Sequence, residues 1–212
     1  MYFHYTSWIF RKLFPMFIWK KEVTEKIIYL TFDDGPIPEV TEFVLDELKK
    51  YEAKATFFCV GDNIGKYPDI FEKLILQGHS IGNHTFNHYN GWKTKKEKYL
   101  KNIQKCQQII DSQAKTKAKT EKKLFRPPYG KIKLSLMCDL KKDYNIVMWH
   151  VLSGDFDPSL DKKTCLQKTI QHSTNGSVVV FHDSLKAEQN LRYVLPKYLK
   201  HFADLGYRFE SL

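Results

Sequence analysis

From residue 27 onward, short runs of β-branched and aromatic residues alternate with segments whose apolar positions recur every three or four residues. This is the pattern of a parallel sheet with crossover helices. It predicts strands over Ile27–Phe32, Ala55–Val60, His79–Gly82, Leu124–Arg126, Asn145–Leu152, Ser177–Phe181 and Tyr207–Leu212. Val40, Val44 and Leu48 recur at four-residue spacing with Glu and Lys among the positions between, which predicts an amphipathic helix after the first strand. Leu191, Leu195, Leu199 and Phe202 do the same ahead of the last strand, and Gly206 stands where that helix would stop. No Pro-, Gly- or Ser-rich linker divides the units. The expected class is α/β: a single-domain, distorted (β/α) barrel of about seven strands, TIM-barrel-like and one unit short of eight.

The chain of 212 residues, 42% of them apolar, is long enough for one sizeable core. Residues 1–25 stand apart as an aromatic and basic segment ahead of a single domain over 26–212. Arg11 and Lys12 interrupt that segment and Pro15 breaks any continuous helix, so it is too short and too charged for a span of about 20 apolar residues. It also lacks a hydrophobic core followed by a small-residue cleavage site. No cleavable signal peptide is therefore expected, and the protein is expected to be cytoplasmic or membrane-associated. Packing on the outside of the barrel is the favoured role for the segment. The alternative is a peripheral membrane contact through Trp8, Phe10, Phe14, Phe17 and Trp19.

The 34 Lys and Arg residues against 24 acidic ones give a net charge of +10. Nucleic acid, anionic lipid or a polyanionic glycan would all suit that sign. Much of the surplus lies in Ala114–Lys123, a lysine-dense run that reads as a solvated helix end or loop. Because no motif interleaves arginine with aromatic residues, no nucleic-acid partner is expected. The cysteines, Cys59, Cys106, Cys138 and Cys165, form no C-x-x-C pair, and each sits in an apolar pattern, so buried free thiols are expected.

Unusual polar residues follow the strands. Asp33-Asp34 comes after the first, His84 and His88 after the third, Arg126 to Tyr129 at the fourth, Asp155 after the fifth and His182 after the sixth. In a (β/α) barrel all of these positions share the carboxyl-end face. His84 and His88 can point at one ion if a helical turn follows the strand. With Asp34 they make a two-nitrogen, one-oxygen set of the kind that holds zinc and leaves a position open for water. Successive side chains of extended backbone point to opposite sides, so Asp34 can ligate while Asp33 acts as a base. A plain Asp-Asp-Gly-Pro turn is the structural alternative. In Arg126-Pro127-Pro128-Tyr129-Gly130, the Tyr129 and Gly130 N–H groups are the first donors after two prolines and can face an oxyanion, while Arg126 can hold Asp33 ionised. His182, ending an apolar run, is a candidate general acid.

Together these motifs resemble the polysaccharide deacetylases, the carbohydrate esterases with a NodB homology domain. The resemblance spans roughly residues 26–212 and rests on Thr31-Phe32-Asp33-Asp34-Gly35-Pro36, His84-Thr85-Phe86-Asn87-His88, Arg126-Pro127-Pro128-Tyr129-Gly130 and the strand ending at His182. It implies a divalent metal, zinc first with cobalt, nickel or manganese as alternatives, on Asp34, His84 and His88. It also implies Asp33 as general base oriented by Arg126, the Tyr129 N–H in an oxyanion hole, and His182 as general acid tuned by Asp155, with Asp157 as rival. The implied partner is an acetylated carbohydrate, N-acetylglucosamine-containing glycan first; an O-acetyl esterase and a non-catalytic glycan-binding barrel are the alternatives. The chain departs from the family at Leu152, where an Asp is common, at Phe156, where a Trp walls the pocket, and at Val180, where a Leu lines it. Oligomeric state has no signature in the chain.

Overall fold

The computed structural model describes residues 2–114 and 122–212. Among them, eight strands form one sheet: β1 Ile27–Asp33, β2 Thr56–Cys59, β3 Ser80–Asn83, β4 Lys123–Phe125, β5 Tyr144–Ile146, β6 Val151–Leu152, β7 Val178–His182 and β8 Arg208–Glu210. The helices are α1 Trp8–Leu13, α2 Val40–Lys49, α3 Gly61–Lys66, α4 Pro68–Leu76, α5 Lys96–Gln113, α6 Met137–Leu140, α7 Lys162–His172 and α8 Glu188–Asp204. Seven strands run in the order β5-β4-β3-β2-β1-β7-β6, and β8 pairs β1 off that path. Every pairing among named strands is parallel, as the strand–helix alternation predicts, and the sheet curls into a distorted barrel.

The predicted helical stripes are buried as read. Val40, Val44 and Leu48 of α2 and Leu191, Leu195, Leu199 and Phe202 of α8 pack on one core with Phe32, Phe57 and Phe181 of the sheet. Gly206, at φ 78°, ends α8 in the left-handed conformation that glycine adopts without a side-chain clash. At the amino end of β1, Ile27–Tyr29 pair with β8, whereas Thr31–Asp33 at its carboxyl end pair with β2. β8 therefore lies at the end remote from Asp33.

The single strand expected over Asn145–Leu152 is two strands. Arg126 is the reason: its guanidinium donates to the carbonyls of Val147 (3.3 Å) and Met148 (2.8 Å), taking acceptors that a continuous ladder would use. The chain there leaves β4 and crosses to β7. The N-terminal segment fills the resulting gap. Ile18 N–H donates to Ile146 O (2.9 Å) and Ile18 O accepts from Met148 (2.8 Å), while Thr6 N–H donates to His150 O (3.0 Å). Unpaired strand edges are satisfied in this way. Phe17 and Trp19 are buried against Phe125, Ile132 and Met148. The segment is thus part of the barrel wall rather than a layer on its outside.

Two further expectations need adjustment. Cys59, Cys106 and Cys165 are buried free thiols, but Cys138, on the one-turn helix α6, is exposed. Of the lysine-rich run, residues 115–121 lie outside the described residues; Lys123, at its end, begins β4 and pairs with Asp111 at 2.6 Å.

Candidate active site

Strand register sets the site. Asp33 ends β1 directly beside His182, the last residue of β7, so the two side chains share one face of the sheet. His84 follows β3 and Arg126 follows β4, bringing both to the same carboxyl end. Asp34 does not continue the strand: its φ of 88° turns the chain. Adjacent carboxylates that extended backbone would send to opposite sides therefore reach one place. Asp33 Oδ2 lies 3.9 Å and Asp34 Oδ1 3.7 Å from the same nitrogen, Nε2 of His84.

The turn is held by a residue to which sequence reasoning gave no role. Asp183 accepts hydrogen bonds from the Gly35 N–H (3.0 Å) and the Thr41 hydroxyl (2.6 Å). Burial pushes its carboxyl up to about 8, with the nearby Asp34 adding to this and the two donors opposing it. A Cβ on Gly35 would sit 1.9 Å from Asp183 Oδ2. Gly35→Ala is accordingly expected to cost about 1–3 kcal/mol of stability by overpacking a pinned carboxyl, read as a lower midpoint in urea unfolding. The only signal in the sequence was the acidic residue after His182.

The two histidines do not converge through a helical turn. Residues 84–88 are irregular, with Thr85 at φ 64° and His88 at φ 54°. Asn102 of α5 holds this loop: its Oδ1 accepts from the N–H groups of Phe86 and Asn87, each at 2.9 Å. Asn83 Oδ1 accepts from Thr85 N–H at 2.9 Å. Nothing in the spacing of Asn102 marked that role.

His84 donates from Nδ1 to the Arg126 carbonyl (2.8 Å), which fixes its tautomer and leaves a lone pair on Nε2. Burial pushes the imidazole down to about 4, so it is neutral at pH 7. His88 Nε2 stands 3.1 Å from Asp34 Oδ1. Burial resists ionisation of Asp34, but His88, His182 and His84 outweigh it and hold the carboxyl well below the usual range. Asp34, His84 and His88 bring one ligand atom each within 4.8 Å of one another. Asp34 Oδ1 is buried without a hydrogen-bond partner. An orphaned carboxylate oxygen between two imidazole nitrogens fits a divalent cation, and the donor set suits zinc or a similar ion.

Arg126 is fully buried, donates to Asp33 Oδ1 and to the Thr31 hydroxyl, each at 2.7 Å, and lies 4.2 Å over the Phe58 ring. Among the described residues no hydrogen bond engages Asp33 Oδ2, the oxygen facing His84. The Gly130 N–H is taken by Pro127 O at 2.9 Å. Of the two donors expected after the prolines, only Tyr129 N–H is without an acceptor among the described residues. Tyr129 sits at φ 61°, and its hydroxyl is 3.1 Å from His88 Nδ1.

His182 donates from Nδ1 to Asp155 Oδ1 (2.8 Å), and its backbone N–H donates to Oδ2 (2.8 Å). Burial would favour the neutral ring, but the buried Asp155 carboxylate outweighs it and raises the imidazole to about 9. Asp157 is elsewhere, accepting from Tyr2 and Ser159. Phe156 packs edge-on against His182 at 5.0 Å, so a phenyl ring walls the site where relatives were expected to carry an indole.

The profile of the family described as "Polysaccharide deacetylase" matches residues 20–149. A peptidoglycan-N-acetylglucosamine deacetylase of Bacillus cereus is 33% identical over 198 residues, covering 92% of this chain and 90% of the relative. The peptidoglycan-N-acetylmuramic acid deacetylase PdaC of Bacillus subtilis is 32% identical over 188 residues; the match takes in 89% of this chain but 38% of PdaC. The crystal structure of the Bc1960 peptidoglycan N-acetylglucosamine deacetylase, complexed with an aryl hydroxamate, superposes with a TM-score of 0.85 at 31% identity, covering 96% of this chain and 94% of that one. The chain belongs to the polysaccharide deacetylase family.

Proposed function

We propose that this protein is a metal-dependent deacetylase that removes N-acetyl groups from N-acetylglucosamine-containing glycan, peptidoglycan or a chitin-like oligomer. The observation that carries this is the convergence of a three-atom donor set, a carboxylate pinned by a buried arginine, and a histidine charged by a buried aspartate. Deacetylases named for peptidoglycan and for chitooligosaccharide, the latter from Azorhizobium caulinodans at 32% identity over 76% of this chain, support the substrate class. Asp34, His84 and His88 would hold the ion. When bound, it supplies Lewis-acid polarisation of the acetyl carbonyl and a more acidic water.

The residues do the rest. Asp33 takes the proton of the attacking water at Oδ2, while Arg126 fixes Oδ1. The Tyr129 N–H donates to the oxyanion as the carbonyl carbon becomes tetrahedral. His182 gives a proton to the departing amine nitrogen, so amide and water leave as acetate and free amine. Asp155 keeps that proton in place near neutral pH.

A pH dependence follows. The folded His182 imidazole titrates at about 9 against 6.5 for a free one, so its pairing with Asp155 contributes stability in full below about 6.5 and loses it as pH rises through about 9. Turnover is expected to fall over the same alkaline range, as the acid form is depleted. Asp155→Asn, which removes the attraction, should move that limb toward lower pH; a pH–rate profile with an unmoved limb would detach Asp155 from His182.

The substrate assignment is tested by measuring acetate released from a chitooligosaccharide and from acetylated xylan in parallel. Release from the chitooligosaccharide is expected. Release from the xylan alone would replace the N-deacetylase by an O-acetyl esterase.

A further inference from the structure

The first 21 residues carry four cations, Arg11, Lys12, Lys20 and Lys21, and no acidic side chain. Several of their apolar residues face outward: Phe3 is 78% exposed, Trp8 57% and Leu13 66%, with Ile9, Phe10 and Met16 also exposed. α1 buries none of its residues. The segment is nonetheless anchored, by Phe17 and Trp19 in the core and by its hydrogen bonds to the strands around β5 and β6. Packing explains residues 17–19 and leaves the apolar surface of residues 3–16 unexplained.

Part of that surface borders a cleft that reaches Tyr129. A cleft of about 1010 Å³ is lined by Phe3 and Phe10 together with Trp92, Tyr129 and Leu134. Exposed apolar side chains from two distant parts of the chain therefore meet over one opening, and Tyr129 joins it to His88. Contiguous apolar surface of this kind marks an interaction face. Cations stand within it: Lys12 Nζ is 5.0 Å from the Trp8 ring centre, and Lys131 Nζ 5.2 Å from that of Trp92. Indole rings with ammonium groups beside them suit the lipid interface, where rings enter the headgroup layer and the cations meet phosphate. A symmetric contact with a second copy would instead set one cationic patch against another. Among the described residues no helix is long and apolar enough to cross a membrane, so the fitting mode is contact from one side.

We propose that this face docks on an anionic lipid bilayer, which holds the cleft beside Tyr129 at the membrane surface. The proposal concerns where the chain sits and does not rest on the chemistry assigned to the site.

Flotation of the purified protein with vesicles of phosphatidylcholine, alone or mixed with phosphatidylglycerol, tests it. The protein should float with the mixed vesicles and be released by salt. Trp8→Glu combined with Leu13→Glu should weaken partition at least about tenfold, since two apolar anchors are lost. Lys12→Glu should weaken it about fivefold or more, given about fivefold for each cation near an anionic surface. Leu76→Glu, at an exposed leucine of α4 outside the N-terminal segment, should leave partition unchanged. Circular dichroism establishes that each variant is folded. Three results would overturn the proposal: no flotation with either vesicle, flotation of the Glu variants equal to that of the parent, or a lipid-free dimer in sedimentation velocity that Trp8→Glu with Leu13→Glu dissociates.

Discussion

Asp33→Asn is expected to lower turnover by about 10²-fold or more while leaving the metal bound. The amide oxygen can still accept from Arg126 where Oδ1 does now at 2.7 Å. What is lost is the second carboxylate oxygen, which stands 3.9 Å from His84 Nε2 and has no hydrogen bond among the described residues. An amide there cannot take a proton from water. The substitution also removes the negative partner of a fully buried guanidinium, so some stability is lost, and unfolding should be measured alongside turnover. Metal stoichiometry decides between the roles of the neighbouring carboxylates: an Asp33→Asn protein that loses its ion along with its activity would make Asp33 a ligand rather than a base.

The second large effect is expected at the donor set. His84→Ala removes one of three ligand atoms and should cost more metal affinity than the about 10–100-fold typical of removing a group that merely supports a ligand. Activity and bound metal should vanish together. The stability cost should be modest by comparison with a core deletion, because the sheet register does not depend on the imidazole; only its hydrogen bond to the Arg126 carbonyl is lost. Asp34→Asn should behave differently, because an amide oxygen still ligates weakly. Excess metal should restore part of its activity by mass action, and should do nothing for Asp33→Asn. Equal rescue of both variants would contradict the division of roles.

Much of this site was legible in the sequence because its residues lie where strands end, and strand ends in parallel α/β sheets are readable from periodicity. The placement of Asp33, His84, Arg126 and His182 at strand ends follows from that alone. The conformations between them were not legible. That Asp34 turns at φ 88° and so faces the same imidazole as Asp33 depends on the Gly35–Asp183 contact, between residues 148 apart in the chain. The loop from His84 to His88 has the spacing of a helical turn but not its backbone, because Asn102 offers its amides a better acceptor. The break between β5 and β6 was invisible for the same kind of reason: residues 145–152 look like one strand, and only the burial of Arg126 beneath them shows which carbonyls the ladder gives up. Nor could periodicity show that the N-terminal segment would close the wall it leaves open.

Acetate release by metal-stripped protein, followed on an N-acetylglucosamine oligomer while a divalent ion is titrated back, decides whether the site is a metal-dependent deacetylase. No acetate is expected before addition, then a rise to a plateau at one ion per chain. Acetate released at the full rate by the stripped protein, or an oligomer left acetylated when the site is filled, would contradict it.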